Sequence, residues 1–303
     1  MKKKVKGWEC IKKNKMLYAF LLPAMLLVFI FNYLPLPGLY IAFLDYDMFE
    51  GFSSPWVGFD NIKEIFTLPE FVKSMQNTIW LSTLGLLITF PLPIIFALML
   101  NELKNGLFKR FTQTVSYLPH FLSYIAVIGM VSTIFSEYGI INDLKLQIFG
   151  ENAQRSLYLT NQGIFVPLVM FISVWKTLGW SSIIYLASIS GVDPSLYEAA
   201  IIDGAGKLRQ CYHITLPSIS QTIIMLFILQ IGNLFKSNFD LIYGLQNVYI
   251  DFEVISTIIY KQGITAGNYS ISTAFGLIEG IISLVLILGT NYISKKIDNV
   301  SII

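Results

Sequence analysis

Gly191-Val-Asp-Pro-Ser-Leu-Tyr-Glu-Ala-Ala-Ile-Ile-Asp-Gly-Ala-Gly-Lys-Leu-Arg-Gln-Cys-Tyr-His-Ile-Thr-Leu-Pro217 is a polar interlude between two long apolar runs. Asp193 is a good helix N-cap, and Pro194 suits the first helical position. Glu198, Ala199 and Ala200 continue a short helix. Gly204 and Gly206 allow a bend. A second short helix, about 205–213, ends before Leu216-Pro217. The segment 191–217 therefore predicts a compact helical elbow. Its small residues permit close approach of another surface. The plainer reading of the same residues is an amphipathic connector.

The flanks of this elbow are membrane-like. The chain has 303 residues, 54% hydrophobic and only 13% charged. That charge is about half the share of a soluble domain. One globule of this size cannot hide so much apolar surface, so lipid is the solvent. Six stretches have the roughly 20 apolar residues a spanning helix needs: about 17–38, 78–100, 113–135, 164–188, 219–237 and 271–293. Their length and lack of alternation exclude a β-barrel. The fold class is an all-α membrane protein with six transmembrane helices. Pro23, Pro35, Pro37, Pro91, Pro93 and Pro167 lie within the spans and predict kinks. The basic start and first apolar run resemble a signal peptide, but the run is too long and no cleavage site follows.

Lys and Arg set the orientation. With the N-terminus inside, fourteen of the 21 basic residues fall on inner segments and five on outer ones. Both termini are expected in the cytoplasm, with Cys10 and Cys211 as free thiols there. The expected organisation is a basic N-terminus over 1–16, a six-helix domain over 17–294 and a tail over 295–303. The net charge of +2 does not point to nucleic acid.

Enzymatic signatures are missing. The sequence holds no HExxH, GxSxG or GxGxxG, and no metal-ligand spacing among its two histidines and two cysteines. Gly204-Ala205-Gly206-Lys207 imitates a phosphate loop. Leu208 stands where Ser or Thr is required, and Ile201 where the first glycine is required. The chain is expected to bind no nucleotide, metal or cofactor itself.

The elbow also resembles a family. Glu-Ala-Ala, three residues, Gly, nine residues, then Ile-x-Leu-Pro marks the permease subunits of binding-protein-dependent ABC importers. Glu198, Ala199, Ala200, Gly204, Ile214, Leu216 and Pro217 match all seven fixed positions, and Asp203-Gly204-Ala205 matches the fuller form of sugar permeases. Phe20-Leu21-Leu22-Pro23, Trp56-Val57-Gly58 with Asn61, and Tyr117-Leu118-Pro119 resemble the maltose-permease class. Within it the chain is most similar to the branch serving oligosaccharides and polysaccharide fragments. Cys211 and Tyr212 depart from the pattern, since many relatives carry Phe there.

The resemblance implies a type I importer permease in the cell membrane. Its partners would be a second permease, cytoplasmic ATPase subunits holding ATP and magnesium, and an extracellular sugar-binding protein. Each elbow would seat in a cleft on an ATPase and work as a lever between a nucleotide switch and a bistable bundle. Glu198 would anchor it, with Gly204 as its hinge. Ala199, Ala200, Asp203, Ala205, Ile214, Leu216 and Pro217 complete the coupling set.

Charges at membrane depth usually face a cavity or a partner. Lys176 lies in span four and Glu279 in span six. They read equally as an ion pair or as groups facing an oligosaccharide. Trp175 and Trp180 suit sugar faces, and Asn233 and Asn238 suit hydroxyls. Lys176 and Trp180 share a helix face, expected to point into the pathway, with Trp175 about 100° away. Lys236 and Asp240 read as interfacial, His120 as a packed polar residue. The competing classes are a membrane-embedded glycan- or lipid-modifying enzyme and an ion-coupled carrier. The first lacks a catalytic constellation. The second predicts internal repeats and broken helices, and no repeat is found.

Overall fold

The computed structural model describes residues 14–150, 153–236 and 238–298. Lys2 to Lys13, Cys10 and the tail beyond 298 lie outside the described residues. Among the described residues fifteen α-helices follow one another, several joined by short 3-10 and π turns. No strand occurs among the described residues, only one bridge between Leu44 and Trp56.

The first apolar run, Lys15–Phe43, holds α1 (Lys15–Val28), a π turn and a 3-10 segment, Leu36–Phe43. Its most apolar stretch is entirely unburied, so it leans on the bundle through its C-terminal end. There Ala42 packs with Ile65, Phe71 and Phe275. The buried Asn61 of α2 (Asp60–Thr67) donates to the carbonyls of Ala42 at 3.0 Å and Leu44 at 2.8 Å. This gives Trp56-Val57-Gly58 and Asn61 a structural task. They close the loop after the first run, with Gly58 at φ +62° and Trp56 stacked on Tyr40 and Phe43.

Span two is α3 (Pro69–Thr89) plus α4 (Pro91–Glu102), so it begins well before position 78. Pro91 occupies the first position of α4, where its missing N–H costs nothing. Span four is the unbroken α8 (Gln162–Ser190), which carries Pro167 inside it. It is the most buried of the four continuous spans, with 39% of its most apolar stretch enclosed. Span six is α15 (Tyr269–Asp298).

Two expected spans are not single helices. Span three is α5 (Leu107–Tyr117), a 3-10 turn and α6 (Tyr124–Ile134), bent by 100°. Pro119 removes a backbone donor, and Ser123 starts a new helix by accepting from Ala126 N at 3.1 Å. Span five runs from the elbow through α11 (Leu216–Ser218) into α12 (Ser220–Gly232), with a 63° bend. The six-span count therefore resolves into four continuous spans and two bent ones. Pro35 caps a 3-10 segment and Pro37 lies in its first turn, so neither kinks an α-helix. Helices α7 (Ile140–Phe149), α13 (Phe239–Leu245) and α14 (Ile255–Tyr260) cover the opposite end from the elbow.

Candidate functional site

The elbow is α9 (Pro194–Ile202) followed by α10 (Lys207–Gln210) and a π turn to Thr215. Asp193 caps α9 by accepting from Ser195 N at 2.9 Å. That backbone donor holds the Asp193 carboxyl below its usual range. The chain then reverses on Gly204 at φ +74°, and the N–H groups of Gly204 and Ala205 return to Ile201 and Ala200. The bend needs a left-handed residue, which is why glycine is there. Gln210, buried, donates to Ala205 O at 2.8 Å. Tyr197 and Thr215 join the two limbs through their hydroxyls. Lys207 reaches Glu102 at 3.2 Å, tying the elbow to the C-terminal end of span two.

The outside of the elbow is apolar. Ile202 is 87% and Leu208 88% exposed, and Ile201 and Tyr212 are exposed beside them. Glu198 and Ala199 are exposed on the same short helix. A cleft of about 280 Å³ between the limbs is lined by Ala200, Asp203, Ala205, Arg209, His213 and Ile214. Leu216 and Pro217 start α11 at the root of span five.

Two adjoining cavities lie among spans two, four and five. One, of about 170 Å³, takes Ser82, Ser173, Gln230, Asn233, Lys236 and Asn238 among its lining. The other, of about 190 Å³, takes Phe90, Trp180, Ser181 and Tyr185. They share Thr89, Gln230 and Asn233. A wider cavity of about 530 Å³ between α12 and α15 is lined by Asn233, Lys236, Glu279 and Ser283. Asn233 thus borders all three.

The structure brings Trp180, Asn233 and Asn238 to this track. It puts Glu279 across from Lys236 in the wider cavity. Trp175 lines none of these three cavities. Lys176 corrects both earlier readings. It is 5% exposed, makes no ion pair with Glu279 and does not open into the track. Its ammonium donates to the carbonyls of His120 at 2.9 Å, Pro119 at 3.4 Å and Leu122. His120 lies flat on Trp180. Ser82, Thr89, Ser173 and Gln230 were not singled out in the sequence. The available signal was small polar residues seven apart, 82 with 89, in an apolar helix.

The sequence model of a family described as binding-protein-dependent transport system inner membrane component matches residues 89–299. Protein LplB of Bacillus subtilis (strain 168) is 42% identical over 300 residues, covering 98% of this chain and 93% of that protein. The polygalacturonan/rhamnogalacturonan transport system permease protein YteP of the same organism is 41% identical, covering 94% of this chain and 89% of that one. A chain in the crystal structure of a bacterial ABC transporter involved in the import of the acidic polysaccharide alginate superposes with a TM-score of 0.86. It is 37% identical and covers 96% of this chain and 99% of that one. The alginate transporter in complex with its alginate pentasaccharide-bound periplasmic protein gives the same TM-score at 36% identity, covering 97% of this chain and 99% of that one.

Proposed function

Because the chain belongs to the family of binding-protein-dependent transport system inner membrane components, we propose that it forms one half of the pathway of an ATP-driven importer for oligosaccharides cut from a polysaccharide. It is a permease subunit and not an enzyme. The broken spans, a feature expected of ion-coupled carriers, here belong to an ABC importer permease.

One observation carries the mechanism. The elbow shows an unpartnered apolar face, and α8 runs without a break from the elbow into the cavities. Exposed apolar surface of this kind marks a protein partner. Gly191 lies eleven residues from Trp180, about 16 Å along the helix axis. A push on the elbow is therefore delivered to the cavity wall with little compliance. The partners are a second permease and cytoplasmic ATPase subunits that bind ATP and magnesium. An extracellular binding protein supports this reading through the relative crystallised with one. Glu198 anchors the elbow in the ATPase. Ala199, Ala200, Asp203, Ala205 and Ile214 shape the docking limbs. Gly204 sets their angle, and Leu216-Pro217 turns the elbow into span five.

In the pathway Trp180 supplies a flat apolar wall, while Asn233 and Asn238 meet sugar hydroxyls. Glu279 and Lys236 extend this polar lining toward span six, and Trp175 stands at its edge. The protein sits in the plasma membrane with both termini cytoplasmic, the six-helix domain running from 17 to 294 between the basic start and the tail. The test is purification of the tagged chain. A second six-helix subunit and an ATPase should come with it. The complex with its binding protein should hydrolyse ATP faster with some members of a glycan panel that includes acidic fragments. Recovery of the chain alone, or hydrolysis indifferent to every glycan, would sink the reading.

A further inference from the structure

Span three breaks near its middle, between Tyr117 and Tyr124. Leu118–Phe121 is a 3-10 turn, and Leu122 and Ser123 are extended at ψ 137° and 150°. Such a break leaves carbonyls without helical partners. In the hydrocarbon region those groups must be satisfied from within the protein. Lys176 does this. Its ammonium has three N–H groups and meets three acceptors, the carbonyls of Pro119, His120 and Leu122. The Tyr124 ring lies 4.7 Å from the same nitrogen. No carboxylate pairs with it among the described residues.

The neighbours of Lys176 on α8 grip the same segment. Gly179 faces Ser116 so closely that a β-carbon there would collide with the Ser116 carbonyl. Trp180 stacks on His120, with centroids 4.4 Å apart and planes 1° from parallel, and Phe121 meets it edge-on at 5.5 Å. Positions 176, 179 and 180 lie on one face. His120 is therefore held twice, its carbonyl by Lys176 and its ring by Trp180.

We propose that Lys176 is a positioning residue: without touching the sugar, it pins the span-three break and so, through the stacked His120 ring, fixes Trp180, which lines the pathway cavity. This rests on the reading of the cavities as the pathway. It differs from a substrate role for the lysine, because all three donors are already engaged. A neutral side chain of similar length fills the space and leaves the carbonyls free to turn, so the wall shifts.

The test uses the complete complex in proteoliposomes and the variant Lys176→Met. Expected are normal assembly, basal ATP hydrolysis within about twofold of wild type, and a rise of about tenfold in the KM for uptake, because a small misplacement of the wall is felt by the substrate. A second readout is Trp180 fluorescence, with Trp8, Trp56, Trp80 and Trp175 replaced by Phe. Lys176→Met should shift and brighten this emission as the stacked imidazole leaves. His120→Ala removes the ring and keeps the carbonyl. Alone it should match Lys176→Met in KM, and the double variant should be no worse than either, since both cut one chain of contacts. An unchanged KM together with an unchanged spectrum, or additive losses in the double variant, would overturn the proposal. If Lys176→Met fails to assemble, the His120→Ala comparison decides, and a wild-type KM there overturns it. If the wild-type complex imports no glycan, the pathway reading fails, while the fluorescence shift still judges the clamp.

Discussion

The hydroxyls of Tyr197 and Thr215 lie 2.9 Å apart and join the two limbs of the elbow across its open side. Thr215 is 4% exposed, so its oxygen has little access to water if the partner is lost. Tyr197→Phe removes one hydroxyl and keeps the ring. A cost of about 1 kcal/mol is expected from the lost hydrogen bond. The limbs should then move more independently. The measurable result is more ATP hydrolysed per sugar imported, with assembly unchanged. An unaltered ratio would show that the ring alone sets the angle.

Gly204 has φ +74° and open space where a β-carbon would stand. Its restriction is thus conformational and not steric. A β-branched residue should cost about 1–2 kcal/mol, and Asn distinctly less, because Asn visits the left-handed region. Melting of the complex should rank Gly, then Asn, then Val at this position. Equal melting of the Asn and Val variants would mean the φ value is not what the site requires.

Gly179 makes the opposite prediction from the same residue type. Here the Ser116 carbonyl and the Tyr117 ring fill the space of a side chain. Gly179→Ala must part α8 from α5, at about 1–3 kcal/mol for overpacking. Gly276→Ala and Gly280→Ala on α15 meet open space and should assemble like wild type. Thermal stability of the three purified complexes checks this ordering.

Local chemistry explains what could be read in advance. The elbow was legible because Asp193, Pro194 and Gly204 act on their own neighbours. The continuous spans were legible because each is long and apolar. The span-three break was written in Pro119 and Ser123, but the apolar residues around them form an unbroken window. Lys176 was legible as a charge at depth and not as a clamp. Its acceptors lie more than fifty residues away, at a break in another span. The polar track was hidden for a related reason. Thr89, Gln230 and Asn233 become one lining only when spans two and five meet beside α8.

Cys211 ties topology to the elbow's electrostatics. It lies half-buried in the π turn after α10, with Glu102 near it. Burial is the main force raising the thiol pKa, and the Glu102 charge adds to it. Only the thiolate reacts with maleimide. Labelling near neutral pH should therefore be slower than for an ordinary exposed cysteine, and should climb as the solution becomes alkaline. Glu102→Gln removes the negative charge, lowers the pKa and breaks the contact to Lys207. It should speed labelling at neutral pH by a few-fold, with a smaller gain at alkaline pH, where both forms approach full ionisation. A Cys10→Ser background isolates the signal. A membrane-impermeant maleimide should reach Cys211 in inverted vesicles and not in intact cells. Labelling from the outer side would reverse the elbow and remove the docking argument with it. Labelling from the inside with no response to Glu102→Gln would keep the topology and show that burial alone governs the thiol.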